Sequence, residues 1–62
     1  MERLTKRERE IVDLLVLGKS NKEIASVLYI SVHTVKTNLE HIYEKLGIYN
    51  RVMLAVYAVR NQ

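Results

Sequence analysis

Within five residues the chain carries His33, Lys36 and Thr37, three side chains able to exchange hydrogen bonds with the edges of bases. Lys36 can donate to guanine O6 and N7 or to a phosphate. Thr37 combines a hydroxyl with a methyl that suits the thymine C5-methyl, and His33 can donate or accept. Near them lie small polar or basic groups suited to phosphate oxygens, namely Ser20, Asn21, Lys22, Ser31, Thr34 and Asn38. Ser20 and Ser31 each precede a helical pattern, where free N–H groups and the positive end of the helix dipole attract anions. Such groups can read a duplex only if one element holds the base-directed residues on a single outward face.

The elements that could do so are marked by caps and stops. Thr5-x-x-Glu8 and Ser20-x-x-Glu23 are capping boxes, in which a hydroxyl and a carboxylate satisfy backbone donors at a helix start. The first predicts a helix over about 6–17, with Ile11, Leu14 and Leu15 at helical spacing and Gly18 as its stop. The charged positions before Ile11 read as a solvated face. The second predicts a helix over 21–28 with Ile24, Ala25 and Leu28 inward, followed by a turn in which Ile30 plugs the core. Ser31 caps a third helix over 32–46, whose Val32, Val35, Leu39, Ile42 and Leu46 form one apolar stripe closed by Gly47. Turning about 100° per residue from that stripe places His33, Lys36, Thr37 and Glu40 outward. A joint of about three residues forces the second and third helices to cross steeply, leaving the third proud of the body. Asn50 caps a fourth helix over 51–60. The expected architecture is all-α, a compact four-helix domain over residues 1–62 with a helix-turn-helix made by the second and third helices.

Composition narrows the function further. A chain of 62 residues hides only about 60% of the surface its unfolded form exposes, so its core is thin. Without cysteine it has neither disulfide nor thiolate metal site, and a reducing cytoplasmic setting is the expectation. The longest apolar run, Val52 to Val59, is too short to span a bilayer, which needs roughly 20 residues. The net charge of +3 is concentrated between Gly18 and Leu39, where Lys19, Lys22 and Lys36 face Glu23 alone. That surplus suits phosphate contacts.

Enzymatic readings fail on spacing. His33 and His41 lie about 12 Å apart along one helix and cannot share a metal, and Glu40, His41 and Glu44 fit a solvated flank. No nucleophile, base and orienting group converge, so no catalytic residue, cofactor, metal or small-molecule substrate is expected. RNA binding by base stacking is disfavoured, because tryptophan and phenylalanine are absent and the four tyrosines share no face. A protein-interaction module docking a polymerase subunit or a partner regulator is the alternative to duplex DNA. The fourth helix adds a second expectation. Its interior has no polar face, and a helix apolar all round needs covering on more than one side, most simply by a second copy of the chain.

These motifs resemble a known family. Leu4-Thr5-x-Arg7-Glu8-Arg9-Glu10-Ile11, then Gly18-x-Ser20-Asn21-Lys22-Glu23-Ile24-Ala25, then Leu28-x-Ile30-Ser31-x-x-Thr34-Val35-Lys36, and finally Lys45-Leu46-Gly47 with Arg51, are similar to the LuxR-type helix-turn-helix domain. That domain is the effector of many bacterial response regulators and quorum-sensing activators. The resemblance covers nearly the whole chain. It implies sequence-specific binding of double-stranded DNA in transcription regulation, with the third helix in the major groove and RNA polymerase as a further partner. It puts base contacts on His33, Lys36 and Thr37, and backbone contacts around Ser20, Asn21, Thr34 and Asn38. It implies homodimerisation on DNA through Val52, Val56 and Val59, flanked by Met53 and Arg60, while Leu54, Ala55 and Ala58 pack inward. Two positions depart from the pattern: Asn38 stands where many members have histidine, and Glu40 is acidic on a face that approaches phosphates. Most members add a receiver or ligand-sensing domain, and the 62 residues leave open both that arrangement and a stand-alone regulator.

Overall fold

The computed structural model describes residues 3–61 as four helices, α1 (Lys6–Val16), α2 (Asn21–Leu28), α3 (Val32–Leu46) and α4 (Arg51–Arg60), with no strand among the described residues. Met1, Glu2 and Gln62 of the expected 1–62 domain lie outside them. Both capping boxes are formed. The Thr5 hydroxyl accepts from Glu8 N–H at 3.1 Å while Glu8 Oε1 accepts from Thr5 N–H at 2.9 Å, and Ser20 and Glu23 repeat the exchange at 3.1 and 2.8 Å. Ser31 and Asn50 cap α3 and α4 through Thr34 N–H and Met53 N–H. The first helix ends at Val16, one residue before the expected limit, with Leu17 as its cap.

Three helices stop in the same way. Gly18, Tyr29 and Gly47 take left-handed φ angles of 88°, 58° and 66°. The next residue's N–H then reaches back five positions to a free carbonyl: Lys19 to Leu14, Ile30 to Ala25 and Ile48 to Tyr43. That is the Schellman closure. Tyr29 does this without being glycine, and its side chain stays 95% exposed. The closure turns the chain sharply enough that Ser31 can cap α3 almost at once. It also brings Ile30 against the core, half-buried rather than as a full plug.

The core joins Ile11, Val12 and Leu15 of α1 to Ile24 and Ala25 of α2, Val35, Leu39 and Ile42 of α3, and Leu54 and Ala58 of α4. α1 lies in the middle, packed against all three other helices, and α2 packs chiefly on α3.

One reading of the first helix is corrected. Glu8, expected on a solvated face, is only 4% exposed. Its Oε1 accepts from Lys45 Nζ at 2.6 Å as well as from Thr5. Burial alone would raise the Glu8 carboxyl. The Lys45 hydrogen bond and charge, with the Thr5 backbone donor, outweigh burial and hold it below the ordinary carboxylate value. The carboxylate therefore ties the start of α1 to the end of α3.

Candidate nucleic-acid interface

α3 supplies the candidate reading face because its sequence divides by angle. Val35, Leu39 and Ile42 are buried against the body, whereas His33, Lys36, Glu40 and His41 are exposed. Thr37, expected outward with His33 and Lys36, is only half-buried. At about 100° per residue, Lys36 lies on one flank of His33, while Thr34 and Asn38 lie on the other.

The flank of Thr34 and Asn38 is organised by the cap. Ser31 Oγ accepts from Thr34 N–H at 3.0 Å and lies 2.9 Å from Thr34 Oγ1. Asn38 Nδ2 donates to Thr34 O at 2.8 Å, so one of its two N–H groups is committed within α3 and one remains for a ligand.

The other flank meets the start of α2. Asn21, Lys36, Leu39, Glu40, Tyr43 and Arg51 line a shallow groove there. Ser20 and Lys22 are exposed beside it, and Asn21 is half-buried. Arg51, at the first position of α4, donates from Nη1 to Asn21 Oδ1 and from Nη2 to Lys19 O, each at 2.6 Å. Arg51 was not among the candidate residues read from sequence. A cation at a helix start, where the dipole disfavours it, is the signal that could have singled it out.

The Glu23 carboxyl is held below its ordinary value by the backbone and side chain of Ser20, so it stays ionised and committed to the cap. The structure thus brings Ser20, Asn21, Lys22 and Lys36 to one side of α3's exposed face and Ser31, Thr34 and Asn38 to its start and opposite flank. The residues of the other candidate surface are elsewhere. Val52, Met53, Val56, Val59 and Arg60 are exposed along α4, and Leu54 and Ala58 are buried with Ala55 half-buried. No group of three or more metal-ligating side chains occurs among the described residues, and none of their helices is long and apolar enough to cross a membrane.

Comparisons with known proteins agree on the family. The model of the luxR family of bacterial regulatory proteins matches residues 2–58. The chain is 52% identical over 60 residues to the transcriptional regulatory protein LiaR of Bacillus subtilis, covering 97% of this chain and 28% of that protein. It is 47% identical over 57 residues to the spore germination protein GerE of Bacillus subtilis, covering 92% of this chain and 77% of that one. Among solved structures, that of the response regulator ChrA from a heme-sensing two-component system superposes with a TM-score of 0.88 at 46% identity, covering 94% of this chain and 29% of ChrA. The chain thus spans less than a third of LiaR and of ChrA. Its four helices, its tight α2–α3 joint and these matches agree that the chain belongs to the luxR family of bacterial regulatory proteins, which are DNA-binding transcription regulators.

Proposed function

We propose that the domain binds double-stranded DNA in the bacterial cytoplasm with α3 in the major groove, reading bases through His33, Lys36 and Thr37. The observation that carries this reading is the division of α3, which buries Val35, Leu39 and Ile42 and leaves His33 and Lys36 in solvent. The two flanks of α3 then meet the two strands of the backbone. Ser20, Asn21 and Lys22 serve one, and Ser31, Thr34 and Asn38 the other. Phosphate contacts supply much of the affinity and make it fall with salt.

The test is a polarisation titration against duplexes selected from a random pool, repeated across salt. Lys36→Ala should weaken binding by about 1–3 kcal/mol and relax the preference at one base position if Lys36 reads a guanine. An unchanged affinity and preference would remove that role. Absence of binding at low salt would favour a protein partner such as RNA polymerase instead.

Two copies pair on DNA through α4, whose Val52 and Val59 are 72% and 55% exposed. Half-sites then lie about one helical turn apart. Placing a charge in this row opposes pairing without touching the core. Val56→Asp should therefore keep its affinity for an isolated half-site yet lose about a hundredfold or more on the paired site, the scale of avidity from linking two contacts. Side-by-side titrations of the two duplexes check this.

A further inference from the structure

Arg51 is poorly explained by the helix it begins. At the first position of α4 its charge faces the positive end of that helix's own dipole. Its two hydrogen bonds instead reach across the molecule to the carbonyl of Lys19 and the side-chain oxygen of Asn21, 32 and 30 residues away. The guanidinium fork thus straddles Ser20, the cap of α2. A rigid planar fork can hold two fixed acceptors at once, which the single ammonium of lysine does poorly. Among the described residues Arg51 forms no ion pair, so its charge remains as positive potential at the start of α2. α4 packs mainly on α1 rather than on α2, which makes this fork, among the described residues, the side-chain hydrogen-bonded link between α4 and the helix-turn-helix.

The consequence falls on Asn21. A half-exposed asparagine can present either its oxygen or its nitrogen to a ligand, and only the nitrogen suits a phosphate. With Oδ1 held by Arg51, the amide has one orientation. Among the described residues Nδ2 has no partner, and no buried side-chain polar atom lacks one, so Nδ2 meets solvent. It does so beside the groove that Lys36 also lines.

We infer that Arg51 is a positioning residue for DNA-backbone recognition: it locks the Asn21 amide with its N–H groups toward the phosphate and so joins α4 to the reading unit. This deepens, and rests on, the proposal that the α2 start meets the DNA backbone. The test is a double-mutant cycle on the 62-residue chain with a selected duplex, using Arg51→Met, Asn21→Ala and both together, at a temperature where each variant gives the amide spectrum of a folded domain. Arg51→Met should weaken binding about 3- to 10-fold, the worth of one hydrogen bond, but change it less than about twofold once Asn21 is alanine. Arg51→Lys, which keeps the charge but not the fork, should recover only part of the loss. In the free protein, Arg51→Met should shift the side-chain amide resonances of Asn21.

Equal losses in both backgrounds, full recovery by lysine, or an unmoved Asn21 side-chain amide would overturn the positioning role. If the unsubstituted chain binds no duplex at all, the parent reading falls with it. In that case the Asn21 resonances still report whether Arg51 orients the amide.

Discussion

Ile42→Ala should strip the domain of much of its stability. Ile42 is fully buried on α3, inside the cluster where α1, α2, α3 and α4 meet. Truncating such a side chain costs about 2–5 kcal/mol, combining lost transfer energy with a cavity that a packed site closes only partly. A chain this short has about 3–9 kcal/mol in total at about 0.05–0.15 kcal/mol per residue, with no disulfide in reserve. The loss therefore consumes much or all of the margin. Urea titration followed by circular dichroism checks it, and a midpoint within experimental error of the parent would show that the core relaxes around the missing atoms. DNA affinity should fall with the folded fraction, which separates this variant from Lys36→Ala, whose helicity stays intact.

The second large effect is at Glu8. Glu8→Gln keeps a group able to accept from Thr5 N–H, since glutamine also closes a capping box, but removes the charge opposite Lys45. Glutamine Oε1 can still accept from Lys45 Nζ, so what is lost is the attraction between the two charges. The Lys45 side chain is 36% exposed and can turn to water, which keeps that loss near about 1 kcal/mol rather than at the higher values of fully buried pairs. A fall in melting temperature of about 4–8 °C is expected for a domain of this size. The pH dependence gives an independent check. The folded Glu8 carboxyl lies below its ordinary value, so its stabilisation is fully present above the unfolded pKa of about 4.3 and is lost as pH falls through the folded value. The gap between parent and variant melting temperatures should therefore narrow on acidification below about pH 4.3. Glu23, also shifted downward, titrates equally in both proteins and cancels. A gap that stays constant to pH 2 would show that the charge of Glu8 contributes nothing.

The fold was legible where one short window holds the whole cause. Thr5 with Glu8 and Ser20 with Glu23 are local devices, and both are formed as their spacing predicts. Of the expected stripe, Val35, Leu39 and Ile42 are buried and Leu46 is half-buried, which leaves His33 and Lys36 outward, whereas Val32 in the first turn of α3 is 37% exposed. What escaped the sequence depends on partners far along the chain. Glu8 is buried only because Lys45, 37 residues on, arrives beside it. Arg51 gains its meaning from Lys19 and Asn21, and no periodicity joins those positions. Tyr29 escaped for another reason. A left-handed cap favours glycine, and only the demand for an abrupt α2–α3 joint places a tyrosine there. The half-burial of Thr37 likewise depends on neighbouring packing that a helical projection does not contain.

The central place of α1 has a consequence for the order of events during synthesis. Translation delivers α1, α2 and α3 first, and their mutual contacts join segments close in sequence, the wiring associated with assembly in microseconds to milliseconds. α4 follows them in sequence, and its inner residues Leu54 and Ala58 are hidden only once it seats along α1. Until then the matching apolar face of α1 stays open to water, so the docking of α4 is the step that closes the core.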